Sequence, residues 1–147
     1  MNVKIYLAGK MNGLSYEDMN AWRKEIKEKL KEITYYTTIS NVTVINPVDF
    51  YNFQEVRYQT DIEVQNFDLK HVASSDIIVV NLEGLSDSIG TIIELYEAYY
   101  HNKIPVIAFG DKEIYNKLHP WVKNSITRVE KDINGVVEYI RDFYLFK

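Results

Sequence analysis

Glu94 is the residue whose type and position best suit it for chemistry. An apolar run from Ile77 to Leu82 precedes a loop that contains Gly84 and Gly90, and Glu94 follows that loop. An apolar run of this length predicts a buried parallel strand. Ligands of open α/β sheets bind beyond the carboxyl ends of the strands. The sequence therefore places Glu94, in the first turn of a helix, where a ligand would lie.

Two roles for Glu94 are compatible with this position. Thr91 and Glu94 have the spacing of a helix capping box, which would stabilise the first turn by about 1 kcal/mol. Alternatively, the positive end of the helix favours an ionised carboxylate. Such a carboxylate could attack an anomeric carbon and form a covalent ester, as in retaining glycoside cleavage. The local pattern alone favours the cap.

Two aspartates near the same strand are further candidates. Asp76 directly precedes the apolar run, where its simplest role is to end the preceding helix, and its alternative role is to bind a ligand. Asp68 lies on that helix, and most acidic residues in such a position face solvent. If Asp68 points along the ligand edge, it could hydrogen-bond a nucleobase or donate a proton to a leaving nitrogen.

The loops after the first and third predicted strands supply candidate binding residues. Gly9 and Gly13 precede a helix, so backbone N–H groups there could approach an anion beside Lys10, although a plain turn fits this pattern equally well. The loop from Leu85 to Gly90 is rich in turn-forming residues and could hold ribose hydroxyls or a 5′-phosphate. The binding residues predicted from the two loops are Gly9, Lys10, Met11, Ser88 and Gly90.

These residues need a parallel sheet to bring them together. Apolar segments alternate with helical patterns, which predicts an α/β fold with helices on both faces of a five-stranded parallel sheet. The predicted strands are 3–8, 42–45, 77–82, 104–109 and 126–129. The predicted helices are one capped by Ser15, one within 55–73, and two over 91–101 and 133–146.

Composition narrows the class of protein. The 147 residues fit a single domain spanning 1–147, and the net charge of -4 argues against a nucleic-acid binder. There is no cysteine, and the three histidines lack metal-ligand spacing, so no metal is predicted. The chain opens on a short strand rather than a signal peptide, and no apolar run approaches the roughly 20 residues that span a bilayer. We therefore expect a cytoplasmic protein with no membrane partner.

Three stretches resemble the nucleoside 2-deoxyribosyltransferase family and its nucleotide-hydrolysing relatives. They are Ile5 to Gly9; Asp68-Leu69 leading into Ser75 to Val80; and Gly90 to Glu94 leading into Asn102 to Ile107. The resemblance implies a flavodoxin-like sheet of order 2-1-3-4-5 and active sites completed across subunit contacts. It also implies that Glu94 is the nucleophile, that Asp68 contacts the base and assists its departure, and that Tyr6 lies beside the nucleophile.

Departures from the family pattern favour a phosphorylated ligand. Lys10 stands where the family commonly has Pro or Ser. Ser88 stands where transferases often carry Asp, and relatives that hydrolyse deoxynucleoside 5′-monophosphates carry a Ser there that binds the phosphate. Tyr96 replaces a usual Gly, and with Tyr99 and Tyr100 it supplies more aromatic surface than one sheet can bury. This surplus predicts a homodimer or a larger homo-oligomer.

The sequence thus predicts an enzyme that cleaves the N-glycosidic bond of a 2′-deoxynucleoside or its 5′-monophosphate, without a cofactor. Transfer of deoxyribose to a second base is the first reading, and transfer to water is an alternative. A nucleotide-binding module without catalysis, built on the same fold, is the alternative from another class, since a fold does not fix a function.

Overall fold

The computed structural model describes residues 2–36, 41–51 and 55–145. Five parallel strands form one sheet in the order β2-β1-β3-β4-β5, which confirms the predicted fold class and strand order. The strands are β1 (Asn2–Ala8), β2 (Asn41–Ile45), β3 (Ile77–Asn81), β4 (Val106–Phe109) and β5 (Arg128–Glu130).

The sheet has a buried core on each face. Side chains alternate along β1, so Tyr6 belongs to the core beneath one set of helices while Ile5 and Leu7 belong to the other. Ile77 to Val80 of β3 are all buried, as the unbroken apolar run predicts. This central strand anchors both layers and fixes the position of the loop that follows it.

Helices α1 and α6 cover one face of the sheet. Helix α1 (Tyr16–Tyr36) starts where predicted, because the Ser15 hydroxyl oxygen accepts the backbone N–H of Asp18 at 3.1 Å. Helix α6 (Ile133–Tyr139) continues as a π-helical segment, Ile140–Leu145. The predicted end of this helix at residue 146 lies outside the described residues.

Helices α2 and α3 cover the other face and carry the candidate carboxylates. Helix α2 (Asp61–Ala73) starts at a capping box that the sequence analysis missed, in which Glu63 Oε2 accepts the backbone N–H of Thr60 at 2.7 Å. Helix α3 (Ile89–Tyr96) starts two residues before the predicted position and continues as a π-helical segment, Glu97–His101. The π-helical turn keeps Ala98 buried against the sheet.

The predicted capping box of Thr91 and Glu94 is wrong. Because α3 begins at Ile89, Glu94 lies in the second turn, beyond the backbone N–H groups that a cap would satisfy. The Thr91 hydroxyl instead lies 2.7 Å from the Ser88 hydroxyl, and the Glu94 carboxylate bonds a different residue. Glu94 therefore does not cap its own helix.

The remaining segments are short. Two 3₁₀ turns, Pro47–Phe50 and Leu85–Asp87, follow β2 and β3, and the short helices α4 (Lys112–Lys117) and α5 (Pro120–Lys123) separate β4 from β5. Strand β4 begins at Val106, two residues later than predicted, and the backbone N–H of Ile78 donates to the carbonyl of Pro105 at 3.0 Å. No helix in the described ranges is long and apolar enough to cross a membrane.

Candidate active site

A cleft of about 610 Å³ opens at the carboxyl ends of the central strands. The loop after β1 forms one wall, the loop after β3 and the start of α3 form a second, and α2 with the segment before it forms the third. The cleft contains every binding or catalytic residue predicted from the sequence except Tyr6, which lies directly beneath it, and Asp76. The predicted residues that line it are Gly9, Lys10, Met11, Asp68, Ser88, Gly90 and Glu94.

Tyr6 and Glu94 form a hydrogen-bonded pair at the floor of the cleft. Tyr6 lies on β1 and is only 1% exposed, and its hydroxyl donates to Glu94 Oε2. Glu94 is half-buried, and within the described part of the chain its second carboxylate oxygen has no hydrogen-bond donor. The pairing across two elements holds one oxygen of Glu94 and leaves the other directed to the cleft.

Tyr51 and Asp68 form a second pair of the same kind. Tyr51 directly follows the 3₁₀ turn after β2, and its hydroxyl donates to Asp68 Oδ1. Both side chains are half-buried and both line the cleft. The sequence analysis predicted Asp68 but not Tyr51. The only signal for Tyr51 is its place just after a strand that ends at the same edge of the sheet.

Burial controls the protonation of both carboxyl groups. Burial raises the pKa of Glu94 to about 8, although the Tyr6 hydroxyl acts in the opposite direction. Burial likewise raises the pKa of Asp68, against the hydrogen bond from Tyr51. Burial, rather than the positive end of the helix, therefore has the largest effect on the protonation of Glu94. The sequence had predicted that the helix end would favour the ionised carboxylate. Burial therefore favours the protonated form of Glu94 in the unliganded protein.

A buried arginine, Arg23, lies close to this group and was missed by the sequence analysis. It is fully buried on α1, and its charge acts to lower the pKa of both Glu94 and Asp68. A signal was present, because Arg23 falls four residues after Met19 and three before Ile26, on the apolar stripe of the helix. A charge on such a stripe indicates a buried, hydrogen-bonded role.

Two of the four loop glycines, Gly9 and Gly84, serve packing. A Cβ on Gly9 would lie 2.7 Å from Trp22 Cζ2, so Gly9 lets α1 pack closely against the end of β1. A Cβ on Gly84 would lie 2.7 Å from Lys10 Cδ, and Gly84 has a φ of +71°. Gly84 therefore leaves the space across which the stem of Lys10 reaches along the cleft wall.

Asp76 lies at the opposite end of the sheet from the cleft. Its carboxylate accepts the backbone N–H of Lys4 at 2.8 Å, at the amino end of β3. The backbone N–H of Asp76 also donates to the carbonyl of Lys4, at 2.8 Å. These bonds join β3 to β1, and the ligand-binding alternative for Asp76 finds no support in its position.

A second, mostly apolar lobe of about 390 Å³ continues from the cleft between α2 and α3. Asp68 and Glu94 stand at the junction of the two spaces. Apolar surface beside a pair of carboxyl groups suits a flat, partly polar ligand such as a base. The lobe is lined further by Ile62, Gln65, Leu69, Ile89 and Ile93.

Across the described ranges, no group of three or more histidine, aspartate or glutamate side chains is arranged to hold a metal ion. The side chains at the cleft offer carboxyl and hydroxyl groups, which can perform nucleophilic attack, proton transfer and hydrogen bonding.

No protein-family model and no curated protein matches the sequence. Several solved structures are similar to this protein. A 2-deoxyribosyltransferase from Bacillus psychrosaccharolyticus is similar over 93% of this chain and 92% of its own, with a TM-score of 0.67 and 24% identity. The chain has the nucleoside 2-deoxyribosyltransferase fold.

Two further solved structures share the deoxyribosyltransferase fold with this chain. A conserved protein from Enterococcus faecalis V583 matches 97% of this chain and 99% of its own, with a TM-score of 0.75 and 19% identity. The CMP N-glycosidase BcmB from Clostridium botulinum matches 97% and 99%, with a TM-score of 0.57 and 15% identity. The resemblance predicted from the sequence is confirmed in the fold.

Proposed function

We propose that this protein cleaves the N-glycosidic bond of a 2′-deoxynucleoside or its 5′-monophosphate, with Glu94 as the nucleophile and Asp68 as the acid. The observation that carries the proposal is the pairing of two carboxyl groups with two tyrosine hydroxyls, all at one cleft: Tyr6 with Glu94, and Tyr51 with Asp68. The fold shared with a 2-deoxyribosyltransferase and a CMP N-glycosidase supports it.

In the first step, the free oxygen of ionised Glu94 attacks the anomeric carbon of the sugar. A bond between this oxygen and carbon forms while the bond from carbon to the base nitrogen breaks. Asp68 donates its proton to the departing nitrogen. The products of the step are a neutral free base, a deoxyribosyl ester of Glu94 and ionised Asp68.

In the second step, a base nitrogen or a water molecule attacks the anomeric carbon and releases Glu94 as a carboxylate. Asp68 accepts the proton that the attacking group loses, which restores the starting state. Two inversions at one carbon give overall retention. Tyr6 stabilises the carboxylate of Glu94 at the beginning and end of the cycle, because its hydroxyl donates to that group.

The raised pKa values suit these roles in different ways. A raised pKa keeps Asp68 protonated over a wider range of pH, as an acid requires. A pKa of about 8 makes the Glu94 carboxylate scarcer near neutral pH but more basic, and therefore a stronger nucleophile when it is ionised.

Lys10 and Ser88 are the proposed phosphate-binding residues. Both line the same cleft, and the stem of Lys10 lies against Gly84, in the loop that leads to Ser88. If they bind a phosphate, monophosphates should bind more tightly than nucleosides by about 1.5–3 kcal/mol, the range for hydrogen bonds to a charged group. Calorimetric titration of both ligands to wild type and to Lys10→Met measures this difference, and equal affinities in wild type would remove the phosphate site.

The activity itself is tested by incubating the protein with a panel of deoxynucleosides and their monophosphates, with and without a second free base. Chromatography shows whether base is released, exchanged or left bound. We expect exchange when a second base is present and slow release when it is absent. Release at the same rate in both cases would favour hydrolysis, and no reaction with measurable binding would favour the non-catalytic module.

We also propose that the protein forms a homo-oligomer. Tyr96 is 52% exposed and Trp121 is 77% exposed, and together with Tyr100 they line an apolar depression on the far side of α3 from the carboxylates. Contiguous aromatic surface of this kind is typical of interfaces. Sedimentation equilibrium at micromolar concentration should give a mass of at least twice 17.3 kDa, and a single 17.3 kDa species would contradict the proposal.

A further inference from the structure

Arg23 is a fully buried cation that takes no part in the steps above. It is among the largest side chains in the protein with no exposed surface. A charged group in the interior is tolerated only when its donors are hydrogen-bonded and its charge is compensated. The contacts of Arg23 show how both conditions are met.

The guanidinium group of Arg23 donates to three backbone carbonyls. Nη2 donates to Gly9 at 3.0 Å, Nε donates to Leu7 at 3.5 Å, and Nη1 donates to Met19 in the preceding turn of α1. Leu7 and Gly9 are at the end of β1, where the first wall of the cleft begins. Arg23 therefore fastens that end of the strand to α1.

Close packing fixes this arrangement. The guanidinium lies 4.4 Å from the centre of the Trp22 ring. A Cβ on Gly9 would come within 3.4 Å of Arg23 Nη2 as well as touching Trp22. The planar guanidinium of arginine fits this space and donates from three separate nitrogens, whereas lysine carries all its donors on one nitrogen.

The acidic groups that interact with the charge of Arg23 all belong to the site. Within the described residues no carboxylate lies at ion-pair distance from it, and the acidic groups whose charge acts on it are Tyr6, Glu94 and Asp68. Burial lowers the pKa of Arg23 to about 10, so the group is still charged at neutral pH. When they are ionised, the two carboxyl groups in the cleft are therefore the groups that can balance this buried positive charge.

Other charged or titratable groups also face this region. Tyr6 on β1 and Asp68 on α2 act on Glu94, and Tyr51, which donates to Asp68, also interacts with the charge of Glu94. The charged residues on the cleft walls are Lys10, Asp61 and Asp87. Among the positively charged groups, Arg23 is the one that lowers the pKa of Glu94, and it therefore favours the ionised carboxylate.

We propose that Arg23 is a positioning residue of the site, which holds the loop after β1 against α1 and supplies the buried positive charge that favours ionised Glu94. The inference rests on the proposed function for its role in catalysis. Its electrostatic part concerns only the protonation of Glu94, which can be measured without substrate.

The test uses Arg23→Met, which removes the charge, and Arg23→Lys, which keeps the charge but lacks the planar guanidinium group. Arg128→Met is the matched control, because Arg128 also lies over an aromatic ring, at 4.2 Å from the centre of Tyr139, but is exposed on the edge strand β5. Glutamate labelled with carbon-13 at the carboxyl carbon reports the titration of Glu94 by NMR. The Glu94 signal is assigned by its loss in Glu94→Gln.

We expect the Glu94 titration to move to higher pH in Arg23→Met and to stay close to wild type in Arg23→Lys and Arg128→Met. In assays at pH 7, kcat/KM should fall about 10- to 100-fold in Arg23→Met, and the loss should shrink as pH rises. Arg23→Lys should lose activity by a factor that does not change with pH, because only the position of the loop is affected.

A folded Arg23→Met variant with an unchanged Glu94 titration overturns the inference. So does an Arg23→Lys variant whose Glu94 titration moves as far as that of Arg23→Met, because packing alone would then explain both. If Arg23→Met does not fold, Arg23→Gln replaces it in the same comparison with Arg23→Lys. A shifted titration in a protein that turns over no nucleoside supports the charge role and counts only against the proposed function.

Discussion

The two tyrosine–carboxyl pairs differ in how rigidly the protein holds them. Tyr6 is buried on a central strand between two neighbours, so the Tyr6–Glu94 pair is fixed by the sheet itself. Tyr51 is half-buried and follows a 3₁₀ turn at the cleft rim, so the Tyr51–Asp68 pair is held outside the sheet. The proposed nucleophile is thus placed by the core, whereas the proposed acid is placed from the cleft rim.

This difference fits the chemistry proposed for each pair. An attacking oxygen must be held in one place relative to the anomeric carbon, because small displacements cost large factors in rate. An acid that protonates different bases benefits if its side chain can adjust its position to each base. Substitutions in each pair distinguish these two roles.

Glu94→Gln should lower kcat/KM by about 10⁴-fold or more, because the amide cannot form the ester. Base release by chromatography measures the loss, and circular dichroism checks that the variant is folded. Activity within tenfold of wild type in a folded variant would remove Glu94 as the nucleophile.

The same variant should change how stability depends on pH. The pKa of Glu94 is raised in the folded protein, so its contribution to stability is complete below its ordinary pKa near 4.5 and is lost as pH rises through about 8. Glu94→Gln should therefore melt at a higher temperature than wild type above pH 8, with a smaller difference at pH 5. Parallel melting curves at both pH values would contradict the raised pKa.

Asp68→Asn should lower kcat/KM by about 10²- to 10⁴-fold, the range for loss of general acid catalysis. The loss should be smallest for substrates with good leaving groups, because these need no proton. Comparing an ordinary deoxynucleoside with one that carries an activated leaving group measures this. An equal loss for both substrates would assign Asp68 to binding alone.

Tyr6→Phe should lower kcat/KM at pH 7 by about 10- to 150-fold, from a hydrogen bond to a charged group worth about 1.5–3 kcal/mol. The Tyr6 hydroxyl lowers the pKa of Glu94, so its removal should move the Glu94 titration above pH 8. NMR titration checks the direction. A shift to lower pH would show that Tyr6 does not stabilise the carboxylate.

Tyr51→Phe should have the smallest effect, about tenfold or less, because a single hydrogen bond on a half-exposed rim is lost. The Tyr51 hydroxyl lowers the pKa of Asp68, so the variant should keep Asp68 protonated to a higher pH. The ratio of the rates for substrates with two different bases should change more in Tyr51→Phe than in Tyr6→Phe. If Tyr51→Phe costs more than Tyr6→Phe, the comparison between a rigid and an adjustable pair is wrong.

Strong periodic signals in the sequence predicted the sheet and the position of Glu94. The apolar run of β3 fixed the central strand, and the loops on either side of it brought the candidate residues to one edge. The wrong prediction of a cap had a local cause. Thr91 and Glu94 match a capping pattern, but the residue that precedes the helix is Ser88, so Thr91 and Glu94 both lie inside the helix.

Contacts between distant segments were not predictable from local patterns. Tyr51 and Asp68 come from a loop and a helix with no shared periodicity, and Arg23 reaches carbonyls 14 and 16 residues away in the chain. The state of Glu94 was also misjudged, because burial depends on the packed structure while the helix end is visible in the sequence. Electrostatics at this site follow from tertiary structure.

The central claim is a covalent bond between Glu94 and the sugar, and trapping that bond tests it most directly. A deoxynucleoside with fluorine at the sugar 2-position destabilises the transition state for both steps, so the intermediate accumulates when the leaving base is a good one. Mass spectrometry of the intact protein and of its peptides should find one fluorinated sugar per chain, on the peptide that contains Glu94, and none in Glu94→Gln. A sugar on another residue, or active protein that never carries one, would contradict the account.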